Sequence, residues 1–135
     1  MWGLIGAYVA WFTQRSLDVH HGLGTSSYDS GLYDQGIWLL SRFRAPFVTL
    51  MGRNLFGDHA SFILVGLVPL YWIAPGAWIL FFSQSALLGA AAFPVYAYAR
   101  KALRSDWLGV LFGTAFLLHP AVSWTNLENF HPDSF

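Results

Sequence analysis

The sequence predicts an all-α, polytopic integral membrane protein, and three observations carry that prediction. Of its 135 residues 56% are hydrophobic and only 10% charged, too apolar for an ordinary soluble domain of this size. Residues 77–99, AWILFFSQSALLGAAAFPVYAYA, are a continuous apolar run of the length a bilayer-spanning helix needs, about 20 residues. Three further apolar stretches, at 1–13, 58–74 and 107–124, are separated by short polar or basic segments.

The same composition limits the function. Seven cations balance seven acids with no basic tract, so nucleic acid is not expected as a partner. The absence of cysteine excludes disulfides and thiolate metal sites but does not identify a compartment. No internal repeat or low-complexity segment divides the chain, which reads as one membrane module over residues 1–135.

In order along the chain, residues 1–13 are apolar and stop at Gln14 and Arg15. That is too short for a full span, and no basic leader or small-residue cleavage site makes it a signal peptide, so it reads as the outer part of a first transmembrane helix. Residues 14–59 follow as a polar-to-mixed outer loop. Within it, residues 29–43 form an amphipathic helix: Leu32, Tyr33, Ile37, Leu40 and Phe43 recur at three- and four-residue steps, and Asp34, Gln35, Ser41 and Arg42 give the wetter side. Ser27 or Asp29 serves as its N-cap, and an acid in the first turn is favoured by the helix dipole.

Residues 58–74 hold about 14 apolar residues, or about 21 Å of helix against about 30 Å of hydrocarbon, with Asp58 as N-cap and Pro69 as a kink. This reads as a juxtamembrane or re-entrant helix. Pro75 and Gly76 turn the chain into the span at 77–99, whose small residues from Gly89 to Ala92 suit close helix packing. Arg100, Lys101 and Arg104 make the densest basic cluster, and residues 107–124 form another span interrupted at His119 and Pro120.

The positive-inside rule sets the orientation. With Arg100, Lys101 and Arg104 in the cytoplasm, the spans on either side of them both open outward. Asp29, Asp34, Asp58, His59, Glu128, His131 and Asp133 then converge on the outer face, in a multi-pass protein of the cell membrane.

Each of these residues also has a plain structural reading. Asp29 is a cap, and Asp34, about 140° around the helix from it, holds the helix to a neighbour, with Arg42 two turns on as a partner. Asp58 and His59 are a cap and its neighbour, His119 is a packing histidine bonded to a freed carbonyl, and His20 and His21 are loop residues. Glu128, His131 and Asp133 are a weak pattern for a metal, and neither a metal nor a cofactor is expected.

The blocks YDSGLYDQGIW, PFVTLMGRNLFGDHASFIL, LVPLYWIAPG, SQSALLGAAAFPVYAYARKAL and LLHPAVSWTNLENFHPD resemble, over nearly the whole chain, an uncharacterised bacterial family of predicted membrane proteins known only as domain of unknown function 2079. That family is similar in architecture to the GT-C glycosyltransferases, polytopic enzymes that draw on a polyprenyl-phosphate-linked sugar at the outer membrane face. The resemblance implies an acidic catalytic residue in the first outer loop, which by position is Asp29, with Asp34 as the second acid. It implies donor and acceptor contacts from Tyr28, Arg42, Arg53, Asp58, His59, Glu128 and His131. It also implies that the chain is an N-terminal fragment acting with the rest of a longer protein, because family members carry more spans. The alternative is a transporter or lipid-binding membrane protein, in which intramembrane polar groups such as Gln84 and His119 line a path rather than a reaction centre.

Overall fold

The computed structural model describes residues 1–25, 27–57 and 61–132, residue 27 by its backbone alone. Over these the chain is mostly helical, with one short β-hairpin inserted. The first helix, α1 (Trp2–His21), has 20 residues and is about 30 Å long. It continues past the end of the apolar run at Thr13 because the polar residues there support one another a turn apart: Gln14 donates to Asp18 at 2.9 Å and Arg15 lies 3.9 Å from the same carboxylate. His20 and His21, expected in a loop, form its last turn.

Helix α2 (Ser27–Ser41) carries both candidate acids. Leu32, Tyr33 and Ile37 are buried along one face, as their spacing requires, while Trp38 is exposed. Gly36 lets the Leu55 side chain, just past the hairpin, pack against the backbone of α2, for a Cβ there would come within 2.7 Å of Leu55 Cδ2. The helix ends where Ser41 Oγ donates to the Trp38 carbonyl at 2.7 Å, and Phe43 then takes a left-handed φ of 57°. Phe43 therefore lies beyond the helical stripe and is exposed rather than packed.

The hairpin is formed by β1 (Phe47–Val48) and β2 (Arg53–Asn54), antiparallel with Phe47 opposite Asn54 and Val48 opposite Arg53. Gly52 supplies the positive φ, 65°, that its turn needs. Gln35 fixes the hairpin to α2, its Oε1 accepting from both Thr49 N at 3.1 Å and Thr49 Oγ1 at 3.0 Å. A 3-10 segment, Phe62–Leu67, then leads into the short helix α3 (Val68–Ile73). Pro69, expected as a kink, stands in the first turn of α3, where its missing N–H is no loss.

Helices α4 (Trp78–Ala90) and α5 (Ala92–Leu103) run on through Ala91 as one helix of 26 residues. Among the described residues it is the one helix both long and apolar enough to cross a membrane. After a turn at Arg104, α6 (Asp106–Leu117) runs back along α5, capped by Ser105 Oγ, which accepts from Leu108 N at 3.3 Å. Helix α7 (Pro120–Glu128) follows at a bend of 42°, and α6 and α7 together qualify as one broken span. His119, expected as a packing histidine bonded to a freed carbonyl, is exposed at this bend. Its Nδ1 accepts from Ala121 N at 3.3 Å and so caps α7, because Pro120 takes the first helical position and leaves the next N–H free.

Two hydrophobic cores result. One joins Leu32, Tyr33 and Ile37 of α2 to Val48, Leu55, Leu64, Tyr71, the first turn of α4 and Phe130 beyond α7, and so forms a head. The other joins Ile5 and Tyr8 of α1 to Ala92 and Leu117 inside the helical bundle. Helix α1 is antiparallel to α4: Gly89 meets Ile5, Tyr8 and Val9 near its start, and the Phe81 ring lies 5.5 Å from that of His20 near its end. The ends of α1 and α7, the start of α4 and the whole head thus share one end of the bundle, and the basic α5–α6 turn forms the other.

Candidate functional site

Asp29 occupies the first turn of α2, the position where the free N–H groups and dipole of a helix favour an acid. It is half-buried, with exposed Tyr28 before it, and its carboxylate has no hydrogen bond or ion pair among the described residues. The preceding corner is held by His20, whose Nδ1 lies 3.0 Å from the Thr25 hydroxyl. The corner thus fixes the start of α2 against the end of α1 while leaving Asp29 uncommitted.

Asp34 has a different environment. It lies about 7.5 Å along the helix and about 140° around it from Asp29, and it accepts a hydrogen bond of 2.7 Å from the Tyr71 hydroxyl of α3. Tyr71 is 1% exposed, so this contact lies at the seam between α2 and α3. Burial first, then the Asp34 charge and the hydrogen bond to it, push the Tyr71 hydroxyl well above the ordinary tyrosine range. A second bond closes the same seam, Trp72 Nε1 donating to the Ser41 carbonyl at 2.8 Å. Sequence spacing points to Arg42 as the partner of Asp34. Arg42 lies past the last residue of α2, and its guanidinium stands over the Trp38 ring at 5.9 Å instead.

The other candidate residues spread across the head. Arg42 is about 20 Å along the helix axis from Asp29, too far to share one small site with it. Arg53 belongs to β2, beside the turn of the hairpin. Glu128 is the exposed last residue of α7, and His131, half-buried, follows Phe130, whose ring meets Tyr33 of α2 edge-on at 5.4 Å. Asp58, His59 and Asp133 lie outside the described residues. Among the described residues no three acidic or histidine side chains gather to hold a metal ion.

One set of polar groups inside the bundle pairs across helices, while the Thr13 hydroxyl of α1 and the Ser83 hydroxyl of α4 are buried with no hydrogen-bond partner among the described residues. Gln84, fully buried, donates through Nε2 to the Thr125 and Asn129 carbonyls at 2.9 and 3.0 Å, and its Oε1 accepts from His131 N at 2.9 Å. Ser85 Oγ donates to Asn126 Oδ1 at 2.8 Å, Asn126 Nδ2 to the Tyr8 hydroxyl at 3.1 Å, and Ser16 Oγ to the Asn126 carbonyl at 3.1 Å. This network ties α1, α4 and α7 together and caps the end of α7 with a side chain from another helix. Buried polar groups satisfied in this way hold helices in register; they do not form an open file. Tyr8, Ser16, Ser85 and Asn126 of this network, and Tyr71 of the α2–α3 seam, are residues that the sequence does not single out. The one signal for Tyr71 is a hydroxyl in an otherwise apolar short helix, since a buried hydroxyl needs a partner.

No curated protein and no solved structure matches the chain. The family model of predicted membrane proteins called domain of unknown function 2079 matches residues 19–135, which include the head, the long helix and the bent pair. The chain belongs to that family of predicted membrane proteins.

Proposed function

We propose that this chain forms the acidic outer-loop module of a multi-pass, GT-C-like glycosyltransferase of the cell membrane, which moves a sugar from a polyprenyl phosphate to an acceptor hydroxyl at the outer face. The observation that carries the reading is the contrast between the two acids: Asp34 is committed to Tyr71, whereas Asp29, in the first turn of α2, has no partner among the described residues. In the reaction the acceptor oxygen attacks the anomeric carbon and gives its proton to the Asp29 carboxylate. The bond from that carbon to the phosphate oxygen breaks, and the lipid phosphate leaves with the electron pair. Arg53 of the head is the cation proposed to steady the growing phosphate charge, and Arg42 to meet a headgroup farther along α2.

A transport path through the bundle is the weaker reading, because Gln84, Ser85 and Asn126 are already bonded to one another's helices. The test is sugar transfer from a polyprenyl-phosphate donor, scaled to folded protein in membranes. Asp29→Asn is expected to keep insertion and lose transfer by about 100-fold or more, the usual scale for a general base. Asp34→Asn is expected to lower activity only as it lowers folded protein. Full activity in Asp29→Asn would overturn the assignment.

A further inference from the structure

The segment Phe62–Ile73, a 3-10 stretch running into α3, is apolar on the side that faces away from the head as well as on the side that packs into it. Leu64, Leu67, Val68 and Tyr71 form the buried face. The other eight of its twelve residues are exposed, among them Phe62, Ile63, Val65, Leu70, Trp72 and Ile73, and none is charged. The segment has only two polar side-chain atoms, and both are spent on α2: the Tyr71 hydroxyl on Asp34 and Trp72 Nε1 on the Ser41 carbonyl. The outer face therefore offers water no side chain to bond. Single exposed apolar side chains are ordinary on a protein surface, but a helix apolar all round is stable only where its outer face is covered.

Three observations indicate what covers it. Only residues 74–77 separate α3 from Trp78, the first residue of the 26-residue apolar helix, so the end of α3 is held within about 18 Å of that helix where it enters the bilayer. Phe43, 87% exposed past the end of α2, lies 6.0 Å from the Trp72 ring, and Trp72 and Trp78 are both exposed, a set of rings suited to the level at which lipid headgroups begin. Arg42 and Arg44, on either side of Phe43, are exposed and have no acid partner among the described residues. Side chains of this kind lay their stems on apolar surface and hold their charge among lipid phosphates. At about 21 Å the segment is too short to cross about 30 Å of hydrocarbon.

We infer that Phe62–Ile73 lies in one leaflet, parallel to the membrane plane, with its outer face sunk into the boundary between headgroups and acyl chains. Lipid suits this surface better than a protein partner does: an apolar protein laid over Trp72 would also meet Phe43 and close over the two arginines beside it without a counter-charge, whereas lipid supplies both hydrocarbon and phosphate. Because the Asp34 and Ser41 bonds tie α2 to α3, the same contact seats α2 on the bilayer. The inference is independent of any chemistry at Asp29.

The test is the depth of single nitroxide labels on the full chain in phosphatidylcholine–phosphatidylglycerol vesicles, read from collisions with oxygen, which concentrates in hydrocarbon, and with a water-soluble nickel chelate. Ile63→Cys and Ile73→Cys place a label at each end of the outer face, and Val65→Cys repeats the reading between them; all three side chains are exposed, outside the packed core. Asn54→Cys, exposed on β2, is the water control, and Leu87→Cys, exposed on the long apolar helix, is the hydrocarbon control. Nickel collisions at the three positions of the outer face are expected to be at least about tenfold fewer than at Asn54→Cys, because the polar chelate loses its hydration in hydrocarbon, while oxygen collisions match those at Leu87→Cys. Nickel collisions as frequent as at Asn54→Cys would overturn the inference by showing the face in water. Few collisions with both reagents would overturn it too, by showing protein over the face, and spectral broadening relieved by unlabelled chain would identify that protein as a second copy.

Discussion

Removing one hydroxyl at the seam between α2 and α3 has a calculable effect. Tyr71→Phe keeps the buried ring and creates no cavity, so the change isolates the 2.7 Å bond to Asp34. A hydrogen bond to a charged group contributes about 1.5–3 kcal/mol, and a half-buried carboxylate left without its donor tends to the upper part of that range. A loss of about 2 kcal/mol is therefore expected, or roughly 6–10 °C in melting temperature for a chain of this size. The assay is thermal unfolding of the detergent-solubilised protein, run as a double-mutant cycle with Asp34→Asn. The coupling between the two changes is expected to be at least about 1 kcal/mol, because each alone breaks the same contact. Tyr28→Phe, at an exposed and unbonded ring, is the control and is expected to leave stability unchanged. Additive losses from Tyr71→Phe and Asp34→Asn, with no coupling, would refute the reasoning and with it the assignment of Asp34 to structure.

Two further outcomes follow from the same contacts. The Tyr71 hydroxyl is raised in the folded state, so its contribution is fully present below pH about 10 and is lost as pH rises above that, where only the unfolded chain releases the proton. Tyr71→Phe is expected to reduce the alkaline loss of stability by about 1.4 kcal/mol in total between pH 9 and pH 11, measured by denaturant unfolding. Gln84→Leu removes the side chain that bonds two carbonyls and one N–H at the α7 end and is expected to cost about 3–5 kcal/mol, with faster hydrogen exchange at His131 as the local signature.

Local periodicity made part of this fold legible and long-range pairing hid the rest. The spacing of Leu32, Tyr33 and Ile37 defines the buried face of α2, because a helix must turn that stripe toward whatever covers it. The long apolar run is the helix through Ala91, where Pro94, with no N–H to give the Ala90 carbonyl, marks the junction of α4 and α5 without ending the helix. The continuation of α1 through Gln14, Arg15 and Asp18 was hidden because hydropathy ends where side-chain pairing takes over. The hairpin rests on two residue pairs and one glycine, too short for an alternating pattern to register. The partner of Asp34 lies 37 residues away on another helix, and no i+4 rule reaches that far. Gln84 was legible as a polar residue in an apolar helix, whereas its role in capping α7 depends on how three helices pack.

In the proposed topology the head and the basic α5–α6 turn lie on opposite faces of the bilayer, and single-cysteine labelling tests this directly because the chain has no cysteine of its own. Leu23, 88% exposed at the α1–α2 corner, Glu128 at the end of α7 and Ser105 in the basic turn are the positions to substitute. With a membrane-impermeant maleimide on intact cells, Leu23→Cys and Glu128→Cys are expected to react, and Ser105→Cys only after permeabilisation. Reaction of Leu23→Cys and Glu128→Cys from opposite faces, or of Ser105→Cys from outside, would contradict the account.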